Sequence, residues 1–268
     1  MAPLRAAARP ARHRRDRDGR GLRELAGPGH PRHNHRRRLR RLLGDPVITR
    51  PMDPERARWV GTGIPPRLRG ITLNDVEEMG DLIQPEALHK ARTYVDQFRG
   101  QQDRNWRALP TNPNIFGQGL LFAGPPNTGK TTLASAVLCE LRRRWGISVY
   151  QTRYTDHVSR KISVLKAGAD TVPEQLSRWQ YAIERVEWAD VVLLDDVGHE
   201  HTTDSGYAED TLDQLLRQRY DEGRPTLITT NLSGTEWSQR YSKALRSFVD
   251  RCTRRTIFVG ETLRGADA

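Results

Sequence analysis

The stretch "LLFAGPPNTGKTT" (residues 120–132) decides how this chain is read. Gly124, Gly129, Lys130 and Thr131 fit the spacing G-x-x-x-x-G-K-S/T, a pattern with a mechanism behind it. Backbone N–H groups of a tight loop and of a helix N-terminus converge on phosphate oxygens. The lysine adds charge at the β- and γ-phosphates of ATP, and the next hydroxyl is an oxygen ligand for Mg2+. The loop residues Gly124, Pro125, Pro126, Asn127, Thr128, Gly129, Lys130, Thr131 and Thr132 are therefore the candidate nucleotide-binding set. The required context is present. "GLLFAG" (119–124) is a short apolar strand, and "KTTLASAVLCELRRRW" (130–145) has apolar residues at helical spacing. Asn127 stands where glycine is frequent, and asparagine tolerates the positive φ that such a loop needs.

A second stretch, "VVLLDDVGHE" (191–200), ends an apolar run with two adjacent acids. One carboxylate suffices to hold a magnesium ion. Asp195 is expected to do so from the Thr131 side, and Asp196 to orient and polarise the attacking water. Asp195 to Gly198 also fits the D-x-x-G of a small GTPase, but no Asn-Lys pair for reading guanine occurs in the chain. A strand, "ISVYQT" (147–152), and two helices separate Lys130 from Asp195. That is the layout of ATPases with an added central strand, which finish the site with a polar residue on the neighbouring strand. "PTLITTNL" (225–232) supplies Asn231 there.

The chain has 268 residues and a formal charge of +11. The first 51 residues hold fifteen arginines, no lysine and four acids, and the remainder balances. This segment has no Phe, Trp or Tyr and cannot bury enough apolar surface to offset the entropy of ordering, so it reads as disordered. "HNHRRRLRR" (33–41) fits contact with nucleic-acid phosphates. Two other readings stand beside it: a solvated tail, or an extension upstream of a protein that begins near Met52. No apolar stretch is long enough for a signal core or a membrane span. Cys139 and Cys252 lie far apart with no metal spacing, the pattern of reduced thiols in a cytoplasmic protein.

Elsewhere, residues 61–75 read as extended and turn-rich, 85–98 as a helix and 108–119 as loop. Helices are expected at 154–168, 173–188, 208–223 and 242–252, with a last strand at 255–260. Five strands alternating with helices predict a parallel sheet covered on both faces.

With "GIPPRLR", "QRYDEGRPTLITTNLS" and "SFVDRC" added to the two motifs, the sequence resembles the AAA+ ATPases of the DnaC helicase-loader and IstB transposition-helper group over residues 61–264. The resemblance implies a P-loop α/β fold with a five-stranded parallel sheet, ATP hydrolysis with Mg2+ and an ATP-dependent homo-oligomer. Beyond the Arg-rich tail (1–51), which composition sets apart and which matches nothing in the group, the chain is expected to hold a linker and helical segment (52–103) and an ATPase domain without a helical lid (104–268). The resemblance implies that Arg251, with Arg246 as its rival, reaches a neighbouring subunit's ATP, and that Arg264 senses nucleotide within its own subunit. In the group, the region before the acidic strand touches single-stranded DNA, which makes Arg153, Arg160, Lys161 and Lys166 candidates, with Arg178 beside them. The competing reading is a solvated helix face. Trp106, Trp179 and Trp188 suit core or interface positions better than base stacking. His199 and His201 flank Glu200 without a third metal ligand, and read as a loop facing solvent or a neighbouring subunit.

Three functions are compatible with these residues. One is a loader that delivers a replicative helicase onto single-stranded DNA during replication. Another is an IstB-like helper of a DNA transposase. The last is a nucleotide-gated binding module with little turnover.

Overall fold

The computed structural model describes residues 57–80, 83–98, 117–168, 170–200 and 206–259, with the backbone of 101–102 and 108–109. The expectations for residues 1–51, and those placed on Trp106, His201 and Arg264, lie outside the described residues. Strands β1 (Gln101–Gln102) and β2 (Ala108–Leu109) pair antiparallel, within a stretch read in part as loop.

The central sheet is five-stranded and wholly parallel, in the order β4–β5–β6–β3–β7. Its strands are β3 (Gly119–Ala123), β4 (Val149–Arg153), β5 (Val191–Asp195), β6 (Thr226–Thr230) and β7 (Thr253–Ile257). A parallel sheet needs crossovers, and crossovers cover its faces with helices. Alternation of side chains divides each strand between two cores. Leu120 and Phe122 face a core built from α1 (Leu73–Glu78), α2 (Pro85–Gln97) and α3 (Lys130–Trp145). Leu121, Val192, Leu194 and Ile228 face the opposite core, which takes in α4 (Tyr154–Leu165), α5 (Pro173–Trp188), α6 (Tyr207–Asp221), α7 (Gly234–Arg240) and α8 (Lys243–Cys252).

The sequence reading missed two helices, and both begin with a capping box. In α1, Thr72 accepts from Asp75 N and Asp75 accepts from Thr72 N. In α7, Ser233 and Glu236 do the same. The apolar run 255–260 misplaced the last strand. Thr253 leaves α8 with extended dihedrals (φ −136°, ψ 154°), so β7 starts at once and ends at Ile257, beyond which Val259 is exposed.

The outer edge of β4 is protected. Gln151 N donates to Thr62 O at 2.8 Å, so the stretch after Trp59 lies along the strand. Gly63 adopts φ +71°, and a Cβ there would meet Gln151 O at 2.0 Å, which only glycine avoids. Cys139 and Cys252 are free and buried, and burial raises their thiol pKa values to about 11 and about 12.

The end of the sheet where the strands begin is closed by Arg219, which has no exposed surface. Its Nη1 donates to Val186 O (2.9 Å), Glu187 O (3.2 Å) and Ala189 O (2.9 Å). Its Nη2 donates to Asp190 O (3.3 Å) and Pro225 O (3.0 Å), and its Nε to Thr226 Oγ1 (3.0 Å). The last carbonyls of α5 lack helical partners, and this planar fork of donors satisfies them together with the entries to β5 and β6. Arg219→Ala is expected to lower unfolding stability by about 3 kcal/mol or more, because several buried carbonyls lose their donors. Arg219→Lys is expected to restore little, since its donors radiate from one point. Chemical denaturation midpoints check both.

Candidate functional site

The candidate site lies where β3, β5 and β6 end. From Ala123 the chain turns through Gly124, whose N–H donates to Thr230 O at 3.2 Å and ties the loop to β6. Asn127 adopts φ 62°, and Gly129 adopts φ 82° just before α3 begins. Thr128 Oγ1 donates to Pro125 O at 2.9 Å and closes the loop on itself. Lys130 is 5% exposed, with its Nζ on Pro125 O and 3.2 Å from Thr128 Oγ1. Burial pulls its pKa down to about 8, against the opposing pull of Asp196 and Asp195. A lysine desolvated in this way gains from an anionic ligand that restores its charge partner.

The two acids occupy different environments. Asp195 Oδ1 accepts from Thr131 Oγ1 at 2.8 Å and from Thr229 Oγ1 at 2.7 Å, so α3, β5 and β6 meet at one oxygen. Burial raises its pKa, partly countered by the two hydroxyls. Asp196 lies past the strand end with φ 59°, a conformation an aspartate tolerates better than most residues. Its N–H donates to Thr229 Oγ1 at 2.9 Å, and its Oδ1 accepts from Asn231 Nδ2 at 2.7 Å. A hydroxyl and a carboxylate oxygen side by side form a hard donor pair that suits Mg2+.

The structure thus brings together residues 124–132, Asp195, Asp196 and Asn231. It does not bring Arg251 to them. Arg251 lies in the last turn of α8, two residues before Thr253, which pairs with Gly119 at the opposite end of β3. There its guanidinium lies 5.7 Å from the Tyr220 ring centre. Asp250 pairs instead with Arg255 at 3.4 Å. Arg246 is half-buried, and its Nε has no hydrogen-bond partner among the described residues.

The candidate DNA residues come from different elements. Arg153 is the last residue of β4, in register with Asp195, and not part of the inserted helices. Arg160 donates to Thr152 Oγ1 at 3.0 Å, Lys161 lies 3.9 Å from Glu187, and Arg178 pairs with Glu174 at 2.6 Å. Lys166 is exposed where α4 ends. Trp179 is half-buried, and Trp188 stacks under Arg224 at 4.7 Å.

Sequence reasoning missed Thr229, Glu200, Arg240 and Tyr241. Thr229 is one of two adjacent threonines ending β6, and that polar ending of an apolar strand was the available signal. Glu200, read as loop, is buried. It accepts from Gly198 N (2.8 Å), Tyr241 OH (2.5 Å) and Arg240 Nε (3.2 Å), which fastens the turn after β5 to α7. Among the described residues no cluster of three His, Cys, Asp or Glu could hold a metal ion, and no helix is long and apolar enough to cross a membrane.

A family model described as IstB-like ATP binding protein matches residues 111–259. Among solved structures, the DnaC helicase loader is 22% identical with a TM-score of 0.56, over 73% of this chain and 100% of that one. DnaI is 19% identical with a TM-score of 0.52, over 72% of this chain and 94% of that one. The replication initiator DnaA, bound to AMPPCP and single-stranded DNA, is 14% identical with a TM-score of 0.52, and the match spans 74% of this chain and 51% of DnaA. A search of the curated proteins found no match. At these identities the likeness to solved structures is a likeness of fold, the five-stranded P-loop architecture of AAA+ proteins.

Thr229→Val removes a hydroxyl that serves both acids. It is expected to cost about 1–3 kcal/mol of stability, because the part-buried Asp196 N–H loses its acceptor and Asp195 loses a donor. Denaturation of the variant beside Thr230→Val, whose hydroxyl serves the neighbouring Val197 O, measures this cost against a matched deletion.

Proposed function

This chain belongs to the IstB-like ATP-binding protein family, and from that premise we propose that it is an ATP-hydrolysing loader that delivers a replicative helicase onto single-stranded DNA. The observation that carries the hydrolytic part is the meeting of Thr131, Asp195 and Thr229 at one oxygen, with Asp196 and Asn231 paired beside it. The loader part is supported by likeness to the DnaC helicase loader and by the match of fold to DnaA bound to single-stranded DNA. A second reading, a helper of a transposase, is supported by the family match itself. Pull-down from the native host with ATP present separates them: a helicase supports the first, a transposase the second. The work would be done in the cytoplasm.

ATP enters as substrate. Backbone N–H groups of residues 124–131 at the start of α3 cradle its phosphates, and Lys130 exchanges Pro125 O for them. Thr131 and Asp195 would hold Mg2+, which when bound supplies charge neutralisation at the phosphate oxygens. Asp196 would accept the proton of the attacking water, and Asn231 holds Asp196 in place through one N–H and would offer the other to that water. Arg251, at the far end of the sheet from its own loop, serves the γ-phosphate of a neighbouring subunit in a homo-oligomer. Arg264 is retained as the candidate that senses nucleotide in its own subunit. Arg153 and Lys166 make no ion pair among the described residues and are the DNA contacts proposed, whereas Arg160 and Lys161 have partners within the chain.

Lys130→Ala is expected to abolish ATP binding with the fold intact, whereas Asp196→Asn is expected to bind ATP and lose turnover by about 10²-fold or more. Nucleotide titration and steady-state hydrolysis separate the two. Normal affinity in the first variant would sink the nucleotide site, and normal turnover in the second would make Asp196 a turn carboxylate only.

Arg251→Ala is expected to bind ATP and lose hydrolysis by about 10³-fold. Mixed with Lys130→Ala it should recover part of the turnover, because an intact arginine from one subunit serves an intact loop in the other. No recovery in co-assembled variants would move the role to Arg246.

A further inference from the structure

His199 has a place in the site that its sequence context does not reveal. Asp196 turns the chain back on itself at φ 59°, and Gly198 continues the reversal at φ 109°, where a Cβ would lie 2.5 Å from Leu232 Cδ1. Glu200 then pins the turn from below through Gly198 N, Arg240 and Tyr241. Between these fixed points the His199 ring is directed back over the strand ends. Its Nε2 lies 3.5 Å from Asp196 Oδ1 and 3.5 Å from Asn231 Nδ2.

Three side chains from separate points of the chain therefore converge: Asp196 after β5, Asn231 after β6 and His199 beyond the reversal. The His199 side chain is 50% exposed and that of Asp196 40%, so burial of a core histidine does not account for the arrangement. Asp196 Oδ1 is already engaged by Asn231, while Oδ2 accepts no hydrogen bond among the described residues. An atom that holds Oδ1 from a second side fixes the rotation of the carboxylate and thereby the direction of Oδ2. Catalytic hydrogen bonds are often long before substrate binds and tighten afterwards. The charged group facing His199 from α7 is Glu236, which its own capping box holds at Ser233 N.

We infer that His199 is a positioning residue for hydrolysis: its Nε2–H donates to Asp196 Oδ1, which Asn231 Nδ2 already holds from another side, so that Asp196 Oδ2 is aimed at the attacking water. The inference rests on the proposed ATPase reading and extends it to a residue outside both acidic and phosphate motifs.

The test compares full-length His199→Ala, His199→Gln and His199→Asn in steady-state ATP hydrolysis and in titration with a fluorescent ATP analogue. A glutamine amide reaches about as far as Nε2, whereas an asparagine amide reaches only the place of Nδ1. Alanine and asparagine are expected to lower kcat roughly tenfold, the scale of one lost hydrogen bond to a charged group, with analogue affinity unchanged. Glutamine is expected to restore most of kcat. Wild-type kcat in the alanine variant overturns the inference, and so does glutamine no better than asparagine, or a loss of affinity that matches the loss of kcat. The wild-type and Lys130→Ala controls separate the two levels. A wild-type chain that does not hydrolyse ATP sinks the ATPase reading and this inference together. Hydrolysis that is indifferent to His199 sinks only the inference.

Discussion

Asp195 Oδ1 receives a hydroxyl from each side, Thr131 from the first turn of α3 and Thr229 from β6. The arrangement of the sheet follows from what this requires. β6 must lie between the strand that carries the phosphate loop and the strand that carries the acids, because only a central strand can reach both. Once it lies there, Thr229 also fixes the backbone of Asp196, Thr230 receives the loop through Gly124, and Asn231 arrives beside the second acid. A buried carboxylate with two donors is held firmly, whereas one without them would be forced to neutralise or to move. The paired acids thus divide their work by position: the first belongs to the interior, the second to a strained turn open to solvent.

The core of this arrangement was legible in the sequence because it is local. The glycines, lysine and threonine of the loop stand within eight residues. α3 and α5 were found at their observed limits, since each has a strong start signal and an apolar face. Asn231 was found by its place after an apolar strand. Other parts depended on contacts between distant residues. Glu200 reads as one more polar loop residue until Arg240 and Tyr241, forty positions later, close around it. Thr229 looks like strand filler until the register of β5 against β6 brings it to Asp195. Arg153 was grouped with the basic residues of the helices that follow it, yet the register of β4 places it at the acidic end of the sheet. The two overlooked helices are a different kind of miss. Both carry capping boxes that were visible, but each is too short to show an apolar period.

The two ends of the sheet are built on opposite electrostatic principles. At the ends of the strands, buried carboxylate and lysine wait near one another without pairing directly, a configuration that favours taking up a charged ligand. At their beginnings, a buried guanidinium is saturated by carbonyls and has nothing left to offer. Stability is concentrated in the second, and responsiveness in the first, as expected where a site must change partners while its scaffold does not.

Arg219 also imposes an order in time. The carbonyls of Val186 to Asp190 receive donors from a residue about thirty positions further along the chain. As the polypeptide is synthesised, α5 and β5 are complete in sequence while their exposed carbonyls still lack those donors. Only when α6 has left the ribosome and docked does the entry to β5 become dry. The half of the sheet that carries the acids therefore matures with, and not before, the half that follows it. A nascent chain halted between residues 195 and 219 would hold Asp195 at the end of a strand that is not yet sealed.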